Sequence, residues 1–579
     1  MSRNLARKRR ERLDKEVGTI KKAWGHDTSS IALIYPNTYS VAMSNLGFQL
    51  VYRLLNSRDD VVCERAFLPD REDKAEYDRT GRRLESLESA RPLSEFDMIA
   101  FSVPFENDFP NILEILCRSK IPLKASDRGE NDPLVIAGGV TSHLNPEPVA
   151  DFMDLFAVGE GEVIIEPLVD LFKKSQYLPR QEILKALSKL KSIYVPSFYE
   201  VSYHDDGTVS AYKAVDGAPE KVERAWFKQD ELEVSRGGSS VLTEDTTFGD
   251  MYLVEVGRGC GRGCRFCAAG FINLPPRERK TESLTAEFKE GIARDKRIGL
   301  ISPSLADHPD IEDICRIIHE SGGQSSLSAV RADALEEGYL SYIKKGNLKT
   351  VTIAPEAGTE RMRDVINKCL SDEDILNAVA LLGKVGIPNI RFYFMIGLPT
   401  EEEADIDGII DITLRCRDLF IEESKVHKKV GNITLSVNSF VPKPFTPFQW
   451  HPMEDEKSLK AKLKKIKKAL GRESNIEMIS DQPRWTHIQG LLSRGDRRLS
   501  DVLIEVQKNE GNWKKAIRDT GMEPAFYTTR VRCREEAFPW DVIDIGLKKD
   551  YLWKEYERGL SGKVTPPCNI GSCVRCGVC

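Results

Sequence analysis

Apolar and polar positions alternate along this chain with two different periods. Ser30–Tyr35 (SIALIY) is a mostly apolar run of strand length, and Asn45–Leu55 carries Leu46, Leu50 and Leu54 at helical spacing. Val61–Phe67, Asp97–Val103, Leu134–Ala137 and Leu155–Val158 read as further strands, with helices near Asn111–Arg118 and over Val163–Lys174. Strands and helices alternating at this spacing predict a parallel, doubly wound α/β sheet. Ligands of such sheets sit beyond the carboxyl ends of the strands. That rim would carry Asn37–Tyr39, Ser102, Gly138-Gly139 and Gly159-Glu160-Gly161-Glu162.

Residues 191–250 change character. Tyr199–Tyr212 reads as two short strands around Asp205-Asp206-Gly207, a hairpin signal within a bridging segment. Alternation then returns, with strands fitting Tyr252–Val256, Ile298–Ile301, Ser325–Ser328, Thr350–Ile353, Ile390–Met395 and Ile433–Phe440. Six strands with helices between them predict a partial (β/α)6 barrel, whose active site lies at the carboxyl ends of the strands. Residues 451–560 read as mainly helical. Lys457–Leu470 puts Leu459, Leu463, Ile466 and Leu470 on one face with seven lysines around it, and Gly471 supplies a stop.

Composition narrows the class. The 579 residues are 41% hydrophobic and 30% charged, ordinary for a globular protein. A net charge of −6 argues against a generally basic nucleic-acid binder. Two local basic stretches stand out. Residues 1–25 hold nine Lys/Arg against three Asp/Glu, and Lys457–Lys468 is lysine-dense. Each is expected to be a solvated helical surface, with RNA contact as the sharper alternative. No apolar stretch approaches the ~18 residues that would span a membrane. The longest are Met98–Phe105 and Pro133–Val140, and the basic N-terminus has no apolar signal region. A cytoplasmic location is expected, where thiols stay reduced.

The thirteen cysteines then carry the information. Cys63, Cys117, Cys315, Cys369, Cys416 and Cys533 stand alone and read as small core hydrophobes. Cys260, Cys264 and Cys267 form C-x3-C-x2-C, and Cys568, Cys573, Cys576 and Cys579 crowd the last twelve residues. Clustered thiols in a reduced compartment point to metal. Three thiolates on one loop can each bind one iron of a 4Fe–4S cubane and leave the fourth iron open. Gly257, Gly259, Gly261 and Gly263 let the backbone wrap closely. A structural zinc would need a fourth ligand, and none lies near in sequence.

This motif, with Phe266 before its third cysteine, resembles that of the radical S-adenosylmethionine (SAM) superfamily. Ile353-Ala-Pro-Glu-Ala-Gly-Thr-Glu-Arg361, Ile366-Asn-Lys368, Phe392–Glu401 and Phe440–Trp450 resemble, in order, segments of one branch of it. That branch carries a cobalamin-binding-like domain before the barrel, and most of its members are uncharacterised. The resemblance implies a cluster that gives one electron to SAM, producing methionine and a 5′-deoxyadenosyl radical that abstracts hydrogen from an unreactive carbon. It implies Cys260, Cys264 and Cys267 as iron ligands and the Phe266 backbone against adenine. Ser302 stands where the superfamily has a Gly-Gly-Glu segment, and here the sequence reads Ile301-Ser-Pro-Ser-Leu305. Ser328 and Arg331 fall where SAM carboxylate or ribose contacts are expected. Glu356 suits ribose hydroxyls, and Gly397 and Leu398 suit an adenine wall. For each residue at the barrel rim, a local ion pair or packing role is the alternative.

The expected organisation is a basic arm at 1–29, a cobalamin-binding-like Rossmann domain at 30–190, and a bridge at 191–250. The radical SAM barrel at 251–450, a helical extension at 451–560 and a metal-binding tail at 561–579 follow. Cobalamin proteins often carry a cobalt-binding histidine after the first strand. Tyr39 holds that position here, and the one histidine near it in sequence is His26. A bound cobalamin is therefore expected without an imidazole beneath its cobalt. Ser102, Gly138 and Gly139 fit a groove for its nucleotide tail; loss of the cofactor, leaving a docking platform, is the alternative. The spacing C-x4-C-x2-C-x2-C at the tail favours a second iron–sulfur cluster, with zinc or redox-active thiols as alternatives.

The resulting expectation is a radical SAM enzyme, in its most concrete version a cobalamin-dependent methyltransferase, served by a flavodoxin- or ferredoxin-type reductant. Two alternatives are a cobalamin-independent radical transferase or rearrangement enzyme, and an RNA-associated protein with structural metal sites. Trp450, His451 and Gly495-Asp-Arg-Arg498 are candidates to face the substrate.

Overall fold

The computed structural model describes residues 3–25, 27–327, 329–346, 348–428, 431–570 and 572–578. Its N-terminal sheet has the order β2-β1-β3-β4-β5-β6. The strands are β1 (Ser29–Tyr35), β2 (Val61–Phe67), β3 (Met98–Ser102), β4 (Leu134–Gly138), β5 (Leu155–Ala157) and β6 (Ile193–Tyr194). The first five are parallel and β6 closes the edge antiparallel. Every residue of β1 and β2 is buried; β1 is accordingly a mostly apolar run, while β2 also buries Glu64 and Arg65, the latter paired with Glu16 and Glu88. The helix Leu46–Ser57 begins where expected, because the Asn45 side chain accepts the Phe48 N–H at 2.9 Å. The order reverses between β1 and β3, and such a switch point opens a crevice at the carboxyl ends of the strands.

The barrel is built from two sheets. Met251–Glu255, Arg297–Ile301 and Ser325–Leu327 form one, and Thr350–Glu356, Asn389–Ile396, Asn432–Ser439 and Ile476–Ser480 form the other. All pairs are parallel, and a bridge between Val330 and Ile353 joins the two sheets. The seventh strand, Ile476–Ser480, lies inside a segment that reads as helical in the sequence. Its residues are mostly exposed, so it carries no buried-strand signal.

The C-terminal helices do not form a core of their own. The lysine-rich helix Glu456–Leu470 buries Leu459, Ile466 and Leu470 against the barrel. The later helices return to the N-terminal sheet and bury Leu491, Val502, Leu503, Trp513 and Trp540 in its core. The basic surfaces are largely engaged within the chain. Lys8 of the helix Arg3–Lys15 bridges Asp70 (2.6 Å) and Asp73 (3.0 Å), and Lys462 bridges Glu401 and Glu454 at 2.6 Å each. Among the described residues no helix is long and apolar enough to cross a membrane.

Candidate functional site

The C-x3-C-x2-C loop follows the first barrel strand, at its carboxyl end. Gly257-Arg258 pairs antiparallel with Arg277-Glu278, which fixes the loop's entry. Gly259 (φ 76°) and Gly263 (φ 71°) take the left-handed turns that wrap it, and a Cβ on Gly259 would strike the Asn273 carbonyl at 2.4 Å. Cys260, Cys264 and Cys267 are partly buried. Burial pushes the Cys267 thiol up to about 12, helped by the neighbouring Cys264. Burial also raises the Cys264 thiol, against the pull of the Lys368 and Arg331 charges. Arg265, fully buried between the second and third cysteines, donates to the carbonyls of Asp364, Val365 and Lys563 and to Glu555.

The cysteine-rich tail lies against this loop. The Cys568 N–H donates to the Gly261 carbonyl at 2.7 Å. Asn367 staples the two segments together: its amide donates to the carbonyls of Arg262, Gly263 and Thr565, and its oxygen accepts the Thr565 N–H at 2.7 Å. Within the tail, Arg575 donates to the Cys573 sulfur at 3.2 Å and holds that thiol below its ordinary value, with Cys568 as a further neighbour. Cys576 is buried. Cys579 lies outside the described residues. Among the described residues no three metal-ligating side chains close around a single ion.

A cavity of about 590 Å³ links the two halves of the molecule. Its inner wall is apolar, with Leu33, Met98 and Ile136 from the N-terminal sheet facing Leu50, Ile165 and Leu168 from helices. Ser102, Gly138 and Gly139 line it, as the sequence predicts for a groove there, and so do Leu253, Gly257, Gly259 and Pro303 of the barrel side. Gly139 (φ 96°) brings the backbone against β3, where an added Cβ would sit 2.9 Å from the Val103 carbonyl. Charged groups gather where the halves meet. Arg258 bridges Glu160 (2.7 Å), Glu162 (2.5 Å) and Glu255 (2.8 Å), and the buried Arg277 holds Glu160 from the other side at 2.7 Å. Burial raises the Glu160 carboxyl, but the Arg277 hydrogen bonds and the Arg258 charge outweigh it and keep the group below its usual range.

Comparison with known proteins fits this two-part arrangement. Residues 47–196 match the family model for the N-terminal region of radical SAM proteins, and residues 254–412 match that of the radical SAM superfamily. An uncharacterised protein of Methanocaldococcus jannaschii, MJ0966, is 31% identical over 496 residues, covering 84% of this chain and 94% of that one. The chain belongs to the radical SAM superfamily. The ribosomal protein uS12 methylthiotransferase RimO of Acetivibrio thermocellus is 24% identical over 204 residues, 33% of this chain and 44% of that protein. Among solved structures, the cobalamin-dependent SAM radical enzyme OxsB with aqua-cobalamin and SAM bound superimposes with a TM-score of 0.44 at 12% identity, covering 92% of this chain and 80% of that one. In the aqua-cobalamin complex of OxsB the chain spans about half of that protein's length, 52%, at a TM-score of 0.43 and 14% identity.

Membership in the radical SAM superfamily implies a 4Fe–4S cluster and SAM as cofactors, and sets a frame for the remaining predicted residues. Phe266 and Leu398 come together in a small apolar cluster with Met362, Val365, Phe440 and Phe448. Gly397 (φ 77°) does not open onto that cluster. The space over its Cα is taken by Leu459 at 3.0 Å and Glu454 at 3.2 Å, and its N–H donates to Glu401. Ser302 stands behind the cluster loop, where a Cβ on Gly257 would come within 3.4 Å of its hydroxyl. Ser328 lies outside the described residues. Arg331 gives its guanidinium fork to Asp333, with two bonds of 2.9 Å, and donates to the Lys368 carbonyl. Glu356 has φ of 70°, a strained conformation for a non-glycine residue, and pairs with Lys368 at 3.4 Å. Burial raises its carboxyl, with Lys368 opposing.

Several residues sort differently from the sequence reading. Trp450, a substrate-facing candidate, is fully buried among Phe538, Trp553 and Tyr556. His451 bonds the Tyr556 hydroxyl at 3.1 Å, and Arg497 holds the buried Glu147. Tyr39 packs on Phe67 and donates to Glu16, so its ring belongs to the core. Lys368, which links Glu356 to the charge around Cys264, is absent from the sequence-derived site; its signal was the Ile366-Asn367-Lys368 segment itself. His143 lines the cavity and is also absent from that set.

Proposed function

We propose that this protein is an enzyme that reductively cleaves SAM and couples the radical so formed to cobalamin-dependent methyl transfer. The observation that supports the coupling is the cavity itself. It begins in an apolar slot at the switch point of the N-terminal sheet and ends at Gly257 and Gly259, in the cluster loop. A nucleotide tail in the slot would leave a macrocycle at its mouth, beside the loop. The cradle at Gly139, where a side chain does not fit, and the apolar walls suit such a tail.

Three partly buried thiols on a glycine-shaped loop suit a cubane with one open iron, and Cys260, Cys264 and Cys267 would hold it. When bound, the cluster supplies the electron that splits SAM, and methylcobalamin supplies the methyl group. The chain's own side chains hold and shield. Phe266 and Leu398 offer an apolar wall for adenine. Glu356, fixed by Lys368, offers a carboxylate to ribose hydroxyls. Arg258 and Arg277, locked on Glu160, hold the two halves together at the cavity. A flavodoxin- or ferredoxin-type protein is the proposed reductant.

A second reading keeps SAM cleavage and drops cobalamin, with a metal cluster on the tail relaying electrons. The bond from Cys568 to Gly261 favours it by placing the tail on the cluster loop. Uptake separates the two. Anaerobically purified protein offered hydroxocobalamin at high micromolar concentration should retain it through gel filtration, as read by its visible spectrum. No retained cobalamin overturns the methyltransferase version and leaves the second reading.

A further inference from the structure

The charged side chains that line the cavity are Arg53, Glu160, Glu162, Arg236, Glu255 and Arg258. All but one are in ion pairs. Arg258 bridges Glu160, Glu162 and Glu255, and Arg236 bonds Glu290. Among the described residues no carboxylate bonds Arg53. Its guanidinium donates instead to the carbonyls of Gly238 at 3.1 Å and Arg236 at 2.6 Å. That uses two of the five N–H groups a guanidinium offers. A charge taken out of water without a counter-ion is costly, which is why charges inside proteins are normally paired.

Arg53 is a half-buried residue of the helix Leu46–Ser57. It follows Leu50 by three residues, and Leu50 follows Leu46 by four, so the three share one helix face, and all three line the cavity. The guanidinium ends on Gly238 and Arg236, which line the cavity from the bridging segment. Gly238 in turn pairs with Val254 of the first barrel strand. The charge is thus pinned where the helix wall of the slot meets the barrel side. Burial lowers the Arg53 guanidinium, and the Arg236 charge adds to this, against the pull of Glu287, Tyr252 and Glu162. Glu287 is outside the cavity wall and accepts the Gly237 N–H at 2.7 Å, while Glu162 is held by Arg258. The carboxylates present do not compensate this guanidinium, and an anion brought into the cavity would.

We propose that Arg53 pairs with the phosphodiester of a cobalamin nucleotide tail lying in the slot. This assignment rests on the cobalamin reading above and deepens it, naming the side chain that recognises the tail's charge. The apolar walls suit the base of the tail and offer nothing to the phosphate that joins it to the macrocycle. The guanidinium supplies that contact: its remaining N–H groups are donors, and its planar fork matches phosphate oxygens. The pairing also makes the cavity selective, because a corrinoid without the phosphate leaves Arg53 uncompensated.

The test is a binding titration of the full chain, followed by the visible spectrum of the corrinoid, with hydroxocobalamin, cobinamide phosphate and cobinamide. The parent should bind the two phosphate-bearing corrinoids about ten- to a hundredfold more tightly than cobinamide, the worth of one charge-assisted pair. Arg53→Met should bind cobinamide phosphate no better than cobinamide, and Arg53→Lys, which keeps the charge, should retain part of the preference. Affinity for cobinamide itself should be the same in all three proteins, which a merely structural role for Arg53 would not leave intact. A parent that does not distinguish cobinamide phosphate from cobinamide overturns the inference, with no variant needed. A preference that survives in Arg53→Met also overturns it. So does equal weakening of all three corrinoids in that variant, the mark of the lost bonds to Gly238 and Arg236. In each of these cases the cobalamin reading stands. Absence of hydroxocobalamin uptake by the parent overturns the reading and the inference together.

Discussion

Asn367 makes four hydrogen bonds between the cluster loop and the tail and is 2% exposed. Replacing it with leucine leaves four backbone groups without this partner, the buried Thr565 N–H and carbonyl and the partly buried Arg262 and Gly263 carbonyls. The expected loss is about 2–4 kcal/mol of stability, read by urea unfolding, together with lower iron retention after reconstitution. His451 gives a pH prediction. Burial, with the Arg494 charge, lowers its ring from 6.5 to about 4, so folding favours the neutral form. Its contribution is intact above pH ~6.5 and is lost as pH falls toward ~4, because the unfolded chain binds the proton first. Between pH 7 and pH 5 the parent should lose about 2 kcal/mol that His451→Gln does not lose, measured by unfolding at both values. At this scale the loop of Cys260, Cys264 and Cys267 stands out in the sequence because its signal is a spacing along the chain. Lys368 and Arg53 do not, because each matters through neighbours far away in sequence: Glu356 at the end of a strand for one, a cavity between domains for the other.

Elements transmit these placements. The helix Val140–Leu144 depends on Gly139, whose φ of 96° and 2.9 Å approach to Val103 leave no room for a side chain. Gly139→Ala should destabilise the protein by more than about 1 kcal/mol, read by thermal unfolding. The clamp between sheet and barrel depends on Glu160. Glu160→Ala leaves Arg258 and Arg277 without a shared partner, and should cost about 3–5 kcal/mol, with faster proteolysis between the two halves. The strands of the N-terminal sheet were legible because burial on both faces makes them mostly apolar, with the buried Glu64-Arg65 pair of β2 as the exception. The strand Ile476–Ser480 was not, because it is an edge with little buried surface. The return of the C-terminal helices to the N-terminal sheet was also hidden. An amphipathic pattern shows which face is buried and gives no sign of its partner.

At the scale of the molecule, two α/β units and a returning C-terminus enclose one cavity that reaches the cluster loop. Gly138 lines that cavity, and a Cβ added there would meet Ala157 at 3.8 Å. Gly138→Trp should therefore abolish cobalamin retention while leaving iron content unchanged, since the cluster thiols lie in the other unit. The central claim is SAM cleavage at Cys260, Cys264 and Cys267. It is tested most directly by anaerobic reconstitution with iron and sulfide, reduction with dithionite, and mass spectrometry for 5′-deoxyadenosine. The parent chain should form it from SAM, and the variant with all three cysteines replaced by alanine should form none while retaining its circular dichroism. Undiminished 5′-deoxyadenosine from that variant would contradict the account.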